Sequence, residues 1–221
     1  MFQDMLEALK YPIAGETMER PLLVGWILVL VSSLVPVLPL VPFFGYLVRV
    51  LVRSAAGDTG APPALTNDLD TVRLGVNATV VCVVYLATPV VLLVVTVGGF
   101  AETARFFRTS TGLLVFSLSA TVGLVLLLLS SYLLPVALVT YGRKRHLSAA
   151  FEYRTIRALA RSTEMFVGWA ATVAIGAVGA VIAVDVFNRS RFGPVLAALV
   201  ITYTLVLVSH RLGVGIARAE Q

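Results

Sequence analysis

The side chains that could do chemistry in this 221-residue chain are few: His146, His210, Cys82 and twelve carboxylates. Their spacing assembles no known centre. There is no H-E-x-x-H run, no cysteine pair and no His/Cys cluster, so no metal-binding site is expected. A calcium site from Asp58, Asp68 and Asp70 is the sharpest metal idea, but the spacing fits no EF-hand loop. His146 and His210 sit at the ends of apolar stretches, where a solvated or headgroup-contacting imidazole is expected. Asp185 is the one carboxylate in an apolar context. With Asn188 and Arg189 a turn away, it reads as locally paired rather than as a proton relay. Cys82 reads as a small buried hydrophobe. Asn77, Tyr85, Thr88, Ser117, Ser119, Ser130, Ser131, Thr202 and Tyr203 could line a polar path. Such hydroxyls more commonly bond a neighbouring helix or their own backbone. Without a nucleophile–base pair at a common depth, no enzyme, no catalytic residue and no cofactor is expected.

Two other patterns carry physical meaning. Arg154, Arg157 and Arg161 are spaced three and four residues apart, which is one face of a helix. Arginines so placed would meet anionic lipid headgroups, each worth about 1 kcal/mol near a charged surface. A protein partner reading the same stripe is the alternative. Gly168, Thr172, Gly176 and Ala180 recur at every fourth position and predict close helix packing. The net charge of +5 does not imply nucleic-acid binding, because basic residues in such a chain mark a membrane side.

These side chains must be carried by elements that are almost wholly apolar. The stretches 24–35, 76–97, 113–139, 166–184 and 195–208 hold no Asp, Glu, Lys, Arg or His. A hydrocarbon core about 30 Å thick is crossed by roughly 20 residues at 1.5 Å rise each. Mean hydropathy of +0.94 agrees. The expected fold is all-α, a polytopic membrane helix bundle with about five apolar segments and amphipathic interfacial helices. One integral membrane domain should fill 1–221. It comprises an interfacial helix over 1–14, a proline-broken segment over 22–52, and spans over 72–97, 112–140, 164–187 and 194–214. A basic interfacial segment lies over 142–163. Asp4 and Glu7 precede any apolar run, which argues against a secretory signal.

The segment 22–52 contains Pro36, Pro39 and Pro42, and each proline inside a helix costs about 3 kcal/mol. They predict a break, with two outcomes open: a span with a broken end, or two half-helices in a re-entrant hairpin shielded by other helices. Pro89 predicts a kink in the next span, and Pro135 a late break in the third. The loops 49–71 and 141–163 and the C-terminus hold most of the Lys and Arg, against Arg105, Arg108, Arg189 and Arg191 between the other spans. Those basic regions are expected in the cytoplasm, and the protein in the plasma membrane. A re-entrant first segment would put the N-terminus there too.

Several runs carry a resemblance. They are Ala8-Leu9-Lys10-Tyr11-Pro12, then Gly45-Tyr46-Leu47-Val48-Arg49-Val50-Leu51-Val52-Arg53, and Gly57-Asp58 followed by Pro62-Pro63 and Asp68. Leu74-Gly75 and Leu134-Pro135-Val136-Ala137-Leu138 before Tyr141 complete the set. Together the chain resembles an uncharacterised membrane family common in haloarchaea, domain of unknown function 4013. The resemblance implies a multi-pass membrane protein and brings no activity or site residues. Ala64 and Leu65 stand where the family has an aromatic residue, which puts interfacial anchoring of that loop in doubt.

The expected function is that of a non-enzymatic scaffold, assembly or lipid-organising component. The alternative is a small-solute transporter or channel using the broken first segment. Expected partners are membrane lipids with anionic headgroups, and a second copy or another membrane protein.

Overall fold

The computed structural model describes the chain apart from residues 1–10, 14–18, 33–34, 36–37, 59, 64–68 and 103–109. Its helices are Glu19–Val31 (α1), Leu40–Ala55 (α2), Leu69–Glu102 (α3), Ser110–Lys144 (α4), Tyr153–Ala160 (α5), Thr163–Arg189 (α6) and Gly193–Ala219 (α7). No strand occurs among the described residues. The apolar runs dictate this: without water, a backbone satisfies its own N–H and C=O groups only as a helix or a closed barrel. Helices α3, α4, α6 and α7 are long and apolar enough to cross a membrane. Val83, Val94, Leu114, Leu118 and Val181 on them are more than half exposed. Hydrocarbon solvates such faces, whereas water would cost about 1.5–3 kcal/mol per side chain.

The proline-rich segment is a helical hairpin. Helix α1 ends at Val31 and α2 resumes at Leu40, with Pro36 outside the described residues. Pro39 is the residue that caps α2, at φ −69°. Pro42 falls in the first turn of α2, where backbone N–H groups have no helical partner, so it starts a helix rather than breaking one. At one end, Tyr11 stacks on His210 with ring centroids 3.6 Å apart, and Ser54 Oγ lies 2.8 Å from His210 Nδ1. At the other, Trp26 Nε1 donates to the Val195 carbonyl at 2.8 Å. Tyr11, ahead of α1, and Ser54, at the end of α2, therefore meet at His210, while Trp26 within α1 sits at Val195, some 22 Å away along α7. The interfacial helix expected over 1–14 lies outside the described residues, except that Tyr11–Ile13 form a 3-10 turn.

Pro135 does not end its helix. Helix α4 continues to Lys144, and every residue from Pro135 to Gly142 is buried. A proline sacrifices one backbone bond, but surrounding helices hold the chain on course there. Helix α3 likewise runs through Pro89.

Small residues set the closest approaches. A Cβ on Gly45 of α2 would fall on the Thr71 carbonyl of α3, and one on Gly75 would fall on the Val41 carbonyl. Those two helices cross backbone against backbone. A Cβ on Gly25 would stand 2.7 Å from Phe43 Cε2 and 2.9 Å from Thr202 Cγ2, so α1 wedges between α2 and α7. In lipid, packing and hydrogen bonds replace the hydrophobic effect as the force between helices, and glycine allows both.

Candidate functional site

The basic segment after α4 is built from local contacts. Lys144 pairs with Glu152, and that hydrogen bond holds the Glu152 carboxyl below its usual range. A 3-10 turn at Leu147–Phe151 leads into α5. Ile156 is turned into the core at 5% exposure, while Arg154, Arg157 and Arg161 are all exposed. The Arg157 guanidinium lies 5.7 Å from the Tyr153 ring centroid. The corner into α6 is fixed twice. Tyr132 Oη donates to the Ala160 carbonyl at 2.6 Å, and Ser162 Oγ accepts from the Met165 N–H at 3.1 Å. That serine is an N-cap with an acidic residue, Glu164, in the first turn, a favourable helix start.

Arg161 stands at the rim of an open cleft of about 480 Å³ lined by Leu129, Tyr132, Ala160, Ser162, Thr163, Phe166 and Trp169. Its three aromatic rings form one group. Tyr132 meets Trp169 edge-on at 5.4 Å and Phe166 at 6.3 Å. Aromatic rings of this kind suit a boundary that is wet on one side and oily on the other. Trp169 also lines a second groove of about 370 Å³ between α4, α6 and α7, whose walls include Pro135, Val173, Gly176, Leu205 and Val208. A polar rim with a guanidinium thus adjoins an almost wholly apolar trough.

Helix α6 lies along α7 through small residues. A Cβ on Gly168 would stand 3.0 Å from Gly215 Cα, and one on Gly179 would collide with Thr204. Thr172 is buried and donates to the Gly168 carbonyl at 2.8 Å. Gly176 lines the trough. Ala180 does not lie on the tight seam, which passes instead through Gly179 and Ala183; Ala180 is exposed at the trough's edge.

The histidines part company. His146 is exposed, with Nδ1 2.9 Å from Ser148 Oγ. His210 is not a solvated interfacial residue: it is 4% exposed, held between Tyr11 and Ser54. Asp185 is ion-paired with Arg189 at 2.7 Å, both exposed, and Asn188 donates to the Val184 carbonyl. Asp58 is occupied by Arg53 at 2.6 Å, and no group of three metal-ligating side chains occurs among the described residues. Three of the side chains considered for a polar path bond to backbone carbonyls instead. Thr202 donates to the Ala198 carbonyl, Ser131 to that of Leu128 and Tyr85 to that of Ala150.

An all-helical bundle with apolar outer faces and an arginine-rimmed aromatic cleft at one end is the architecture of a membrane protein. The family model for a protein of unknown function, DUF4013, matches residues 27–187, and the chain belongs to that family. The matched region contains the arginine stripe and the whole aromatic cleft, and stops before α7 and His210. No curated protein and no solved structure matches.

Proposed function

We propose that this is a multi-pass, non-enzymatic protein of the plasma membrane that organises anionic lipid. The supporting observation is the continuity of Arg161, the Tyr132–Phe166–Trp169 group and the apolar trough beyond Trp169. A lipid has the same order of parts, charge first, boundary next, hydrocarbon last. Arg154 and Arg157 extend the charged end. In this reading the loops 49–71 and 141–163 and the C-terminus face the cytoplasm, and the α1–α2 hairpin enters and leaves from that side. The N-terminus then adds Lys10 and Arg20 to the basic side. Gly168, Thr172, Gly176 and Gly179 hold α6 against α7 so that the trough keeps its shape.

The test is lipid retention in neutral detergent after extraction from mixed lipid. Replacing Arg154, Arg157 and Arg161 together by Gln removes about 3 kcal/mol of attraction to an anionic surface, roughly a hundredfold in partition. Co-purifying anionic lipid should fall steeply while zwitterionic lipid stays. Equal retention by the triple variant overturns the reading. A transporter built on the broken segment is the competing proposal. The exposed Val35 and Leu38 beside the break favour a lipid-facing turn over a wet gate, and flux into proteoliposomes across a broad solute panel should be flat.

A further inference from the structure

A second cleft opens where the first turns of α3 meet the last turn of α4. It has a volume of about 290 Å³ and is lined by Asp70, Arg73, Leu74, Asn77, Tyr141 and Arg145. Unlike the trough beside Trp169, its walls are mostly polar. Arg73 and Asn77 are one turn apart on α3, and Tyr141 and Arg145 one turn apart along α4, so two short polar rows face each other. Other basic side chains at this end are engaged: Arg53 with Asp58, Arg143 with Glu220, Lys144 with Glu152. Neither Arg73 nor Arg145 has an ion-pair or hydrogen-bond partner for its guanidinium among the described residues. Tyr141 is 2% exposed, yet it lines this cleft, and its hydroxyl is likewise without a partner.

The backbone adds an independent sign. Arg145 closes α4 with its N–H on the Tyr141 carbonyl at 2.7 Å, in the left-handed conformation at φ +62°. That position after a helix is ordinarily glycine, because a Cβ is strained there. This left-handed cap ends α4 and leaves the Arg145 side chain at the rim of the polar cleft.

We propose that this cleft binds a phosphate-bearing anion, with Arg73 and Arg145 on the phosphate oxygens and the Tyr141 hydroxyl as a third donor. Two guanidiniums against the Asp70 carboxylate leave one net positive charge, which suits a singly charged phosphodiester. Asp70 and Asn77 are then placed to accept hydrogen bonds from a hydroxyl on the adjoining group. The phosphate could belong to a lipid headgroup or to a free solute. The site is separate from the α5 stripe, so it is tested in a background where Arg154, Arg157 and Arg161 are already Gln.

The experiment measures thermal shift and native mass spectra of the detergent-solubilised chain with phosphatidylglycerol, and separately with inorganic phosphate and glycerol phosphate. Arg73→Gln and Arg145→Gly should each weaken binding about tenfold, and Tyr141→Phe by a few-fold with the ring packing kept. Arg145→Gly should melt no lower than its parent without ligand, because glycine relieves the strained φ. A shift with phosphatidylglycerol alone assigns the phosphate to lipid, and a shift with the soluble phosphates as well assigns it to a solute. No shift with any of the three, or undiminished binding in Arg73→Gln and Tyr141→Phe, overturns the proposal. Should Arg145→Gly fail to fold, the strain argument falls and the other two variants still decide the binding.

Discussion

Removing the hydrogen bond between Ser54 and His210 from one side should cost more than removing it from both. The two atoms are 2.8 Å apart, Ser54 is fully buried, and His210 is 4% exposed. Changing Ser54→Ala strands a ring nitrogen, and changing His210→Phe strands a hydroxyl. A buried polar group left unpaired costs about 1–3 kcal/mol. His210→Phe keeps an aromatic ring against Tyr11, whose plane lies 7° from that of the imidazole, so the stacking is preserved and only the polar partner is lost. In the double variant neither group of this bond is left buried without the other. Its destabilisation should fall at least about 1 kcal/mol below the sum of the singles, a coupling at the upper end of measured hydrogen bonds between membrane helices. The assay is reversible unfolding in mixed micelles followed by circular dichroism, with proteolysis near residue 11 as a second readout. Because Tyr11 rests on the ring, His210→Ala should release the N-terminal segment to protease, whereas His210→Phe should not. Strict additivity, or equal protease sensitivity of the Phe and Ala variants, would refute the hairpin as drawn.

Two further outcomes follow from named contacts. Gly168→Leu places side-chain carbons where Gly215 Cα would already be 3.0 Å from a Cβ. It should destabilise the α6–α7 pair by about 1–3 kcal/mol, while Ala180→Leu, off the seam, should change thermal stability little. The Glu152 carboxyl is held low by Lys144, so their pairing is present above the ordinary carboxylate range and lost as pH falls through the depressed value. Amide protection over 147–157, corrected for the intrinsic pH dependence of exchange, should therefore hold through the ordinary carboxylate range and fall below it, and Glu152→Gln should abolish that step.

The bundle was legible in the sequence because uncharged runs of about 20 residues are longer than a barrel strand needs and fold in hydrocarbon as helices, and the four longest such runs do so. Exposure along α5 also has a local cause: Arg154 and Arg157 stand away from buried Ile156, and Arg161 follows as the C-cap. What escaped depends on distance in the chain. His210 is buried by Ser54, 156 positions away, and by Tyr11, farther still. Gly213 just after it was the available signal, since a Cβ there would stand 2.5 Å from Ser54 Cβ. Pro135 was read by local propensity, and tertiary burial overrode it. The Ala180 discrepancy is arithmetic: a four-residue step overshoots a turn by about 40°, so three steps from Gly168 lead well off the face. Gly179, eleven residues on, returns to within about 20° of it. The cleft at Arg73 and Arg145 was invisible because its two rows come from different helices.

The distribution of burial along α4 bears on what the protein can do. From Pro135 to Gly142 eight consecutive residues are buried, so two full turns are enclosed on every side. Toward the other end, Leu113, Leu114, Leu118, Leu124, Val125 and Leu128 are at least half exposed. Helix α4 is enclosed at the basic end and faces outward along its other half. At the closed end Arg143 donates to the Ala55 carbonyl at 2.8 Å and pairs with Glu220, tying the end of α2 and the C-terminus to α4. On the proposed reading α4 stays in the middle of this knot with both ties intact. The trough beside Trp169 lies between α4, α6 and α7, so an acyl chain seated there would leave those ties in place. Under the proposed lipid-organising function, this packing places an acyl chain in the trough and leaves the enclosed turns of α4 undisturbed.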